Sequence, residues 1–328
     1  MVYGDTKMRG RGGPGLRGGN PVWSHVNSHV DLWIELLHGL DLPPIAALPC
    51  TVRQAFEADH FTQCRIPEAD LERLFGLSIH ALTLYDSLES HVAAQTSRGN
   101  IVVMEVDSSQ LPPAPGTAYH RQRTLSCIGI DVMIPDALAV GYFHSDGYHT
   151  ASGEDYTALF GRVAGTRDPE VQLFTHADVV RRNPCTHSEA SLLQASLELF
   201  RFHLANRPSD NPVSTFRAAF PEHLERLMAR GEPGFHHYAA GVLRQLGANF
   251  ELLARYLRWL VAQGEPVPDK TAEACYTMAS EAMVMQFRLM RAVISRKPDT
   301  CEDCLDQLEA SYQACVPVLA RHFAGSKA

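Results

Sequence analysis

Residues 124–145 read TLSCIGIDVMIPDALAVGYFHS, and this stretch decides the fold class. "TLSCIGIDVMI" and "ALAVGYFHS" are short runs rich in β-branched and aromatic residues, and "PDA" lies between them. Pro in so short a connection ends one strand and turns the chain back, so the pair reads as an antiparallel hairpin. Working outward, "NIVVMEVD" (100–107) is a buried strand ending in acids, and "SIHALTLY" (78–85) has strand composition. The Pro-rich "QLPPAPGTAY" (110–119), between "NIVVMEVD" and the hairpin, cannot join a ladder and reads as a loop.

Helices precede and flank these strands. Ser28 to His38 repeats its apolar positions at helical spacing and meets Gly39 as a C-terminal stop. "TVRQAFEAD" reads as helical, and "PEADLERLF" is a helix opened by Pro67 and closed by Gly76. "SLESHVAAQTSR" ends at Gly99, and "GEDYTALF" is a further helix. Helices followed by an antiparallel sheet give an α+β domain. After about Asp168 the strands disappear. "SEASLLQASLELFRFHL" and the four long segments after it have helical periodicity broken by short Pro/Gly stretches, the pattern of a helical bundle. The expected division is a Gly/Arg-rich leader at 1–20, an α+β domain at 21–167 and an all-α bundle at 168–328. The leader has almost nothing apolar to bury and is expected to be disordered.

Composition bounds the function. The 328 residues are 45% hydrophobic and 20% charged, as in ordinary globular proteins, and the net charge of −8 argues against a nucleic-acid-binding body. Eight cysteines are too sparse for a disulfide framework. The N-terminus has no apolar signal region, and runs such as "IVVMEV" are far too short to cross a bilayer. The expectation is a cytoplasmic protein with no nucleic-acid or membrane partner.

The chemistry centres on Ser28. Its spacing to Asp31, "SHVD", is close to a capping box, so a hydroxyl here satisfies an orphan N–H and contributes about 1 kcal/mol. The same place at a helix mouth suits a nucleophile, because free N–H groups there can stabilise an oxyanion. A serine then needs an imidazole base. His120 precedes the first hairpin strand, and His144 ends the second, with Asp146 following as an orienting group. Glu105 and Asp107, two apart on a strand end, share one facing and could hold an amine, or be a solvated pair or a loop cap. Three imidazoles, His120, His144 and His149, invite a zinc reading, but no H-E-x-x-H or comparable spacing supports it, so no metal is expected. Cys301, Cys304 and Cys315 lack a second close pair and read as buried helical thiols.

Several blocks, among them "NSHVDLWIELLHGL", "FEADHFTQCRIPEADLERLFGL", "GNIVVMEVDSSQLPPAPGTAY" and "GYFHSDGYHTASGEDYTALF", resemble a bacterial family catalogued as a domain of unknown function. The "EVDSSQLP" region also resembles the butirosin-type acyltransferases, papain-like proteins that move an acyl group from a carrier protein to an amine. The resemblance implies a papain-like N-terminal domain and a nucleophile at the mouth of the first helix. It implies a cysteine where Ser28 stands and a histidine where Arg123 stands. This chain departs at both, and a guanidinium with a pKa above ~12 is no base. The implied reaction is acyl or aminoacyl transfer from a carrier-protein thioester, borne on phosphopantetheine, to a small amine, with no cofactor of the protein's own. Ser28, His120, His144 and Asp146 are the catalytic candidates, and Asn27, Glu105, Asp107 and Arg123 the substrate-binding ones. The alternatives are a non-catalytic binding protein with a degenerate site, or a thioester or amide hydrolase.

Overall fold

The computed structural model describes residues 21–112, 125–160, 176–185 and 187–324. The chain forms an antiparallel-sheet unit and an all-helical region, an α+β architecture followed by a helical bundle. The described residues divide into two compact units: 28–44 with 68–185, and 21–27 with 45–67 and 187–324.

The first unit is built on six antiparallel strands: β3 (Leu77–Ala81), β4 (Ile101–Asp107), β5 (Leu125–Ile134), β6 (Ala139–His144), β7 (Gly147–Ser152) and β8 (Ala177–Arg182), in the spatial order β3-β8-β4-β5-β6-β7. The β5–β6 hairpin turns through Pro135–Ala137 with Leu138 left-handed, as the "PDA" signal implies. β7 follows β6 closely, so β5, β6 and β7 form a meander.

Helices cover both faces of the sheet. α1 (Ser28–Gly39) buries Val30, Leu32, Trp33, Ile34, Leu36 and Leu37. Leu32 and Leu36 lie over Gly129 of β5, and Gly39 lies against the Phe143 ring of β6. A methyl at Gly39 would fall 2.2 Å from Phe143 Cε1, so close approach requires glycine there. On the other face, α3 (Leu88–Thr96) and α4 (Glu154–Leu159) supply Leu88, Val92 and Tyr156 to a core with Val102, Met104, Ile128, Ile130 and Tyr142. α3 begins at a serine cap, Ser87 Oγ accepting from Ser90 N. Full burial of each large apolar side chain contributes about 1.5–3 kcal/mol, so this two-sided core fixes which strand residues point where.

The second unit holds α5 (Glu189–Ala205), α6 (Pro212–Tyr238), α7 (Arg244–Ala262), α8 (Thr271–Ser295) and α9 (Glu302–Ala324). α6 is kinked at Gly231, whose φ of 67° no L-residue adopts readily. Leu253, Tyr256 and Leu257 of α7 and Met278, Met285 and Leu289 of α8 are fully buried. Cys275 and Cys315 are buried with sulfurs 2.8 Å apart, and Cys301 and Cys304 are buried too.

Three sequence expectations are corrected. The domain change placed at 167/168 falls later, because β8 is a strand of the sheet, inserted between β3 and β4. Val179 and Val180 of β8 are both buried, so the strand shows no apolar–polar alternation to reveal it. Next, "TVRQAFEAD" is not a helix. A 3₁₀ segment, Pro44–Arg53, leads into a two-stranded hairpin of β1 (Phe56–Glu57) and β2 (His60–Phe61), with Ala58 left-handed at the turn. Finally, residues 21–27 and 45–67 belong to the helical unit. The amides of Val22 and Trp23 donate to the Glu251 carboxylate at 3.1 and 2.8 Å, and Ser196 Oγ donates to Ala46 O at 2.8 Å. Such long-range bonds leave no local trace in sequence.

Candidate functional site

Strand alternation assigns β5 residues to faces. Ile128 and Ile130 point into the α3/α4 core, and so therefore does Ser126, whose cross-strand neighbour is the buried Val106. A hydroxyl in such surroundings needs a partner. Ser126 Oγ finds it in His144 Nε2, 2.8 Å away at the end of β6. Both residues are buried, at 8% and 6% exposure, so the bond is sheltered from competing water.

The other imidazole nitrogen meets the hairpin turn. His144 Nδ1 lies 3.6 Å from Asp146 Oδ1 and 3.4 Å from Ser145 Oγ. The same Asp146 oxygen is 2.8 Å from His149 Nε2 on β7, and the two histidine rings are edge-on, 6.2 Å apart. Hydroxyl, imidazole and carboxylate thus stand in series, each on the adjoining segment of one β-meander. Burial pushes the His144 pKa below the ordinary histidine value, and the Asp146 charge only partly opposes it. The ring is therefore neutral at pH 7. With Nδ1 protonated toward Asp146, Nε2 is free to accept the Ser126 proton. That is the order of roles in a Ser–His–Asp relay.

The same side chains offer a second chemistry. One ligand atom from each of His144, Asp146 and His149 lies within 4.8 Å of the others, a spacing that two imidazoles and a carboxylate use to hold a divalent metal. His144 Nδ1 cannot carry a proton toward Asp146 and bind a metal at once. The two arrangements are exclusive.

The remaining candidates fall in different places. Ser28 is the first residue of α1, and its hydroxyl donates to Cys127 Sγ at 3.7 Å. Cys127 adjoins Ser126 on β5 and so faces the opposite side of the sheet. Among the described residues no hydrogen bond joins Ser28 to an imidazole. His120 and Arg123 lie outside the described residues. Glu105 is exposed on β4, in register with Cys127. Asp107 caps the turn Ser108–Gln110, its Oδ1 accepting from Ser109 N at 3.0 Å. Asn27 Nδ2 donates to Cys64 O at 3.0 Å and Gln245 Oε1 at 3.3 Å, so its amide orders the helical unit.

Sequence reasoning thus found His144 and Asp146 as base and orienting group but missed Ser126, and its zinc reading had His120 where the structure groups Asp146 with His144 and His149. The available signals were the phase of "LSCIGI", which puts Ser126 on the Ile128 face, and the H-x-D-x-x-H spacing of 144–149.

Comparison with known proteins places both units. A model of the DUF1839 N-terminal domain matches residues 12–182, and one of the DUF1839 C-terminal domain matches residues 189–321. The first match ends at the last residue of β8, and the second begins at the first residue of α5. No curated protein matches the chain. Among the described residues no helix is long and apolar enough to cross a membrane.

Proposed function

The chain belongs to the DUF1839 family, with that family's N-terminal and C-terminal domains in order, and we propose that its sheet unit is an acyl transferase with Ser126 as the reacting hydroxyl. The observation that carries this reading is the 2.8 Å bond between Ser126 Oγ and a buried imidazole nitrogen whose ring has Asp146 Oδ1 3.6 Å from its other nitrogen. Ser126 Oγ attacks the acyl carbonyl as His144 Nε2 takes its proton. The resulting imidazolium is stabilised by Asp146 and returns the proton to the departing thiolate, leaving an acyl-serine. An amine then attacks, gives its proton to His144, and Ser126 leaves as the hydroxyl again. Resemblance to the papain-like acyltransferases supplies the finer reading: a carrier-protein thioester on phosphopantetheine as donor and a small amine as acceptor.

Intact-mass measurement with an aminoacylated carrier protein tests it. The parent and Ser28→Ala are expected to gain the acyl mass and release the carrier thiol, whereas Ser126→Ala gains none. An adduct that survives Ser126→Ala and vanishes in Ser28→Ala returns the nucleophile to the mouth of α1. No adduct and no thioester loss in any form, with carrier protein still bound, favours a binding protein.

A second reading rests on the 4.8 Å grouping of His144, Asp146 and His149. There His144, Asp146 and His149 would hold a divalent metal, which would supply an activated water for thioester or amide hydrolysis, and Ser126 would orient His144 through Nε2. Turnover lost to EDTA and restored by zinc selects it.

A further inference from the structure

The helical unit contains a cavity of about 450 Å³ that none of the chemistry above uses. Three arginines line it: Arg53 at the end of the 3₁₀ segment, Arg65 after the β1–β2 hairpin, and Arg207 after α5. The carboxylate among its lining residues is Glu57. No carboxylate pairs with any of the three guanidinium groups among the described residues. Arg207 Nη1 donates to Leu204 O at 2.7 Å, a bond that fixes its stem and leaves the rest of the fork available. Three positive charges against one negative charge leave an excess of two, which matches a phosphate dianion better than a single carboxylate.

Two amides in the same wall point to a second feature of the ligand. Gln54 and Asn249 are 5% and 1% exposed. Their nitrogens are committed: Gln54 Nε2 donates to Gln245 O at 2.7 Å and Asn249 Nδ2 donates to Thr51 O at 2.9 Å. A backbone carbonyl only accepts, so these bonds fix each amide with its oxygen on the other side. Both of those oxygens, Gln54 Oε1 and Asn249 Oδ1, have no hydrogen-bond partner among the described residues. Buried acceptors left unmade are costly, and both belong to residues lining one cavity, so a bound N–H donor is one way of meeting them.

We propose that this cavity binds a small phosphorylated amine, its phosphate held by Arg53, Arg65 and Arg207 and its N–H groups by Gln54 Oε1 and Asn249 Oδ1. The volume suits such a molecule. The site is independent of the Ser126 relay, and its test does not use acyl transfer.

Titration calorimetry of the full chain with O-phosphoethanolamine, inorganic phosphate and ethanolamine provides that test. O-phosphoethanolamine is expected to bind at least about tenfold more tightly than either fragment, and Arg65→Gln and Arg207→Gln each to weaken it about tenfold or more. These are exposed or half-buried positions, and an unchanged melting temperature shows that each variant is folded. Absence of saturable binding up to about 10 mM, a ceiling corresponding to roughly −3 kcal/mol, shows that water alone serves the orphan oxygens and overturns the proposal. Equal affinity for inorganic phosphate overturns the role of the two amides. Undiminished binding by both arginine variants overturns the site.

Discussion

Ser126 Oγ lies 2.8 Å from His144 Nε2, and the opposite nitrogen of that ring faces Asp146 Oδ1 at 3.6 Å. Replacing Ser126 by Ala removes the reacting oxygen and is expected to lower acyl transfer by about a hundredfold or more. The structural cost is separate and small: a buried imidazole nitrogen loses one hydrogen bond, about 1–3 kcal/mol. Single-turnover kinetics alongside urea denaturation distinguishes the two. A variant that transfers at the parental rate removes Ser126 from the mechanism.

The pH profile follows from His144. Burial lowers its pKa below 6.5, so the base stays neutral under mildly acidic conditions, and the acid limb of the rate is expected below pH 6.5. The Asp146 charge raises this pKa, so Asp146→Asn is expected to move the limb further to the acid side while slowing the plateau. A merely structural Asp146 would leave the limb in place. Stability has a matching sign. The unfolded chain takes up the proton first as pH falls through 6.5, so the folded state loses stability from there downward, and His144→Asn flattens that slope.

Much of this site was legible. The 124–145 hairpin announces itself through composition and its Pro turn, and His144 and Asp146 stand out at a strand end. Ser126 did not, because a serine within an apolar strand carries no local mark of the base it meets. That base arrives 18 residues later on a neighbouring strand. Asn27 shows the complementary limit. It stands among the substrate-binding candidates, whereas its amide reaches Gln245, 218 residues away.

Zinc separates the two uses of the meander. If the relay operates, a metal on His144 Nδ1, Asp146 and His149 removes the base, so added Zn²⁺ is expected to inhibit and EDTA to restore the rate. His149→Ala then loses its sensitivity to zinc, measured against its own zinc-free rate. Activation by zinc, abolished in His149→Ala, instead supports the metal-dependent hydrolase.

The placement of β8 makes a prediction about folding. Val179 is 1% exposed and stands in register with His80 of β3 on one side and Val102 of β4 on the other. Among the described residues no other strand joins β3 to the rest of the sheet. Val179→Ala leaves the backbone ladders intact but removes two buried methyls, and is expected to cost about 2 kcal/mol. Val179→Lys places an unpaired charge between two covered faces, and is expected to prevent cooperative folding of the sheet unit. Urea titrations followed by far-ultraviolet circular dichroism measure both. If residues 168–185 were instead a linker between the sheet and the bundle, both variants would unfold within about 0.5 kcal/mol of the parent, as surface substitutions do.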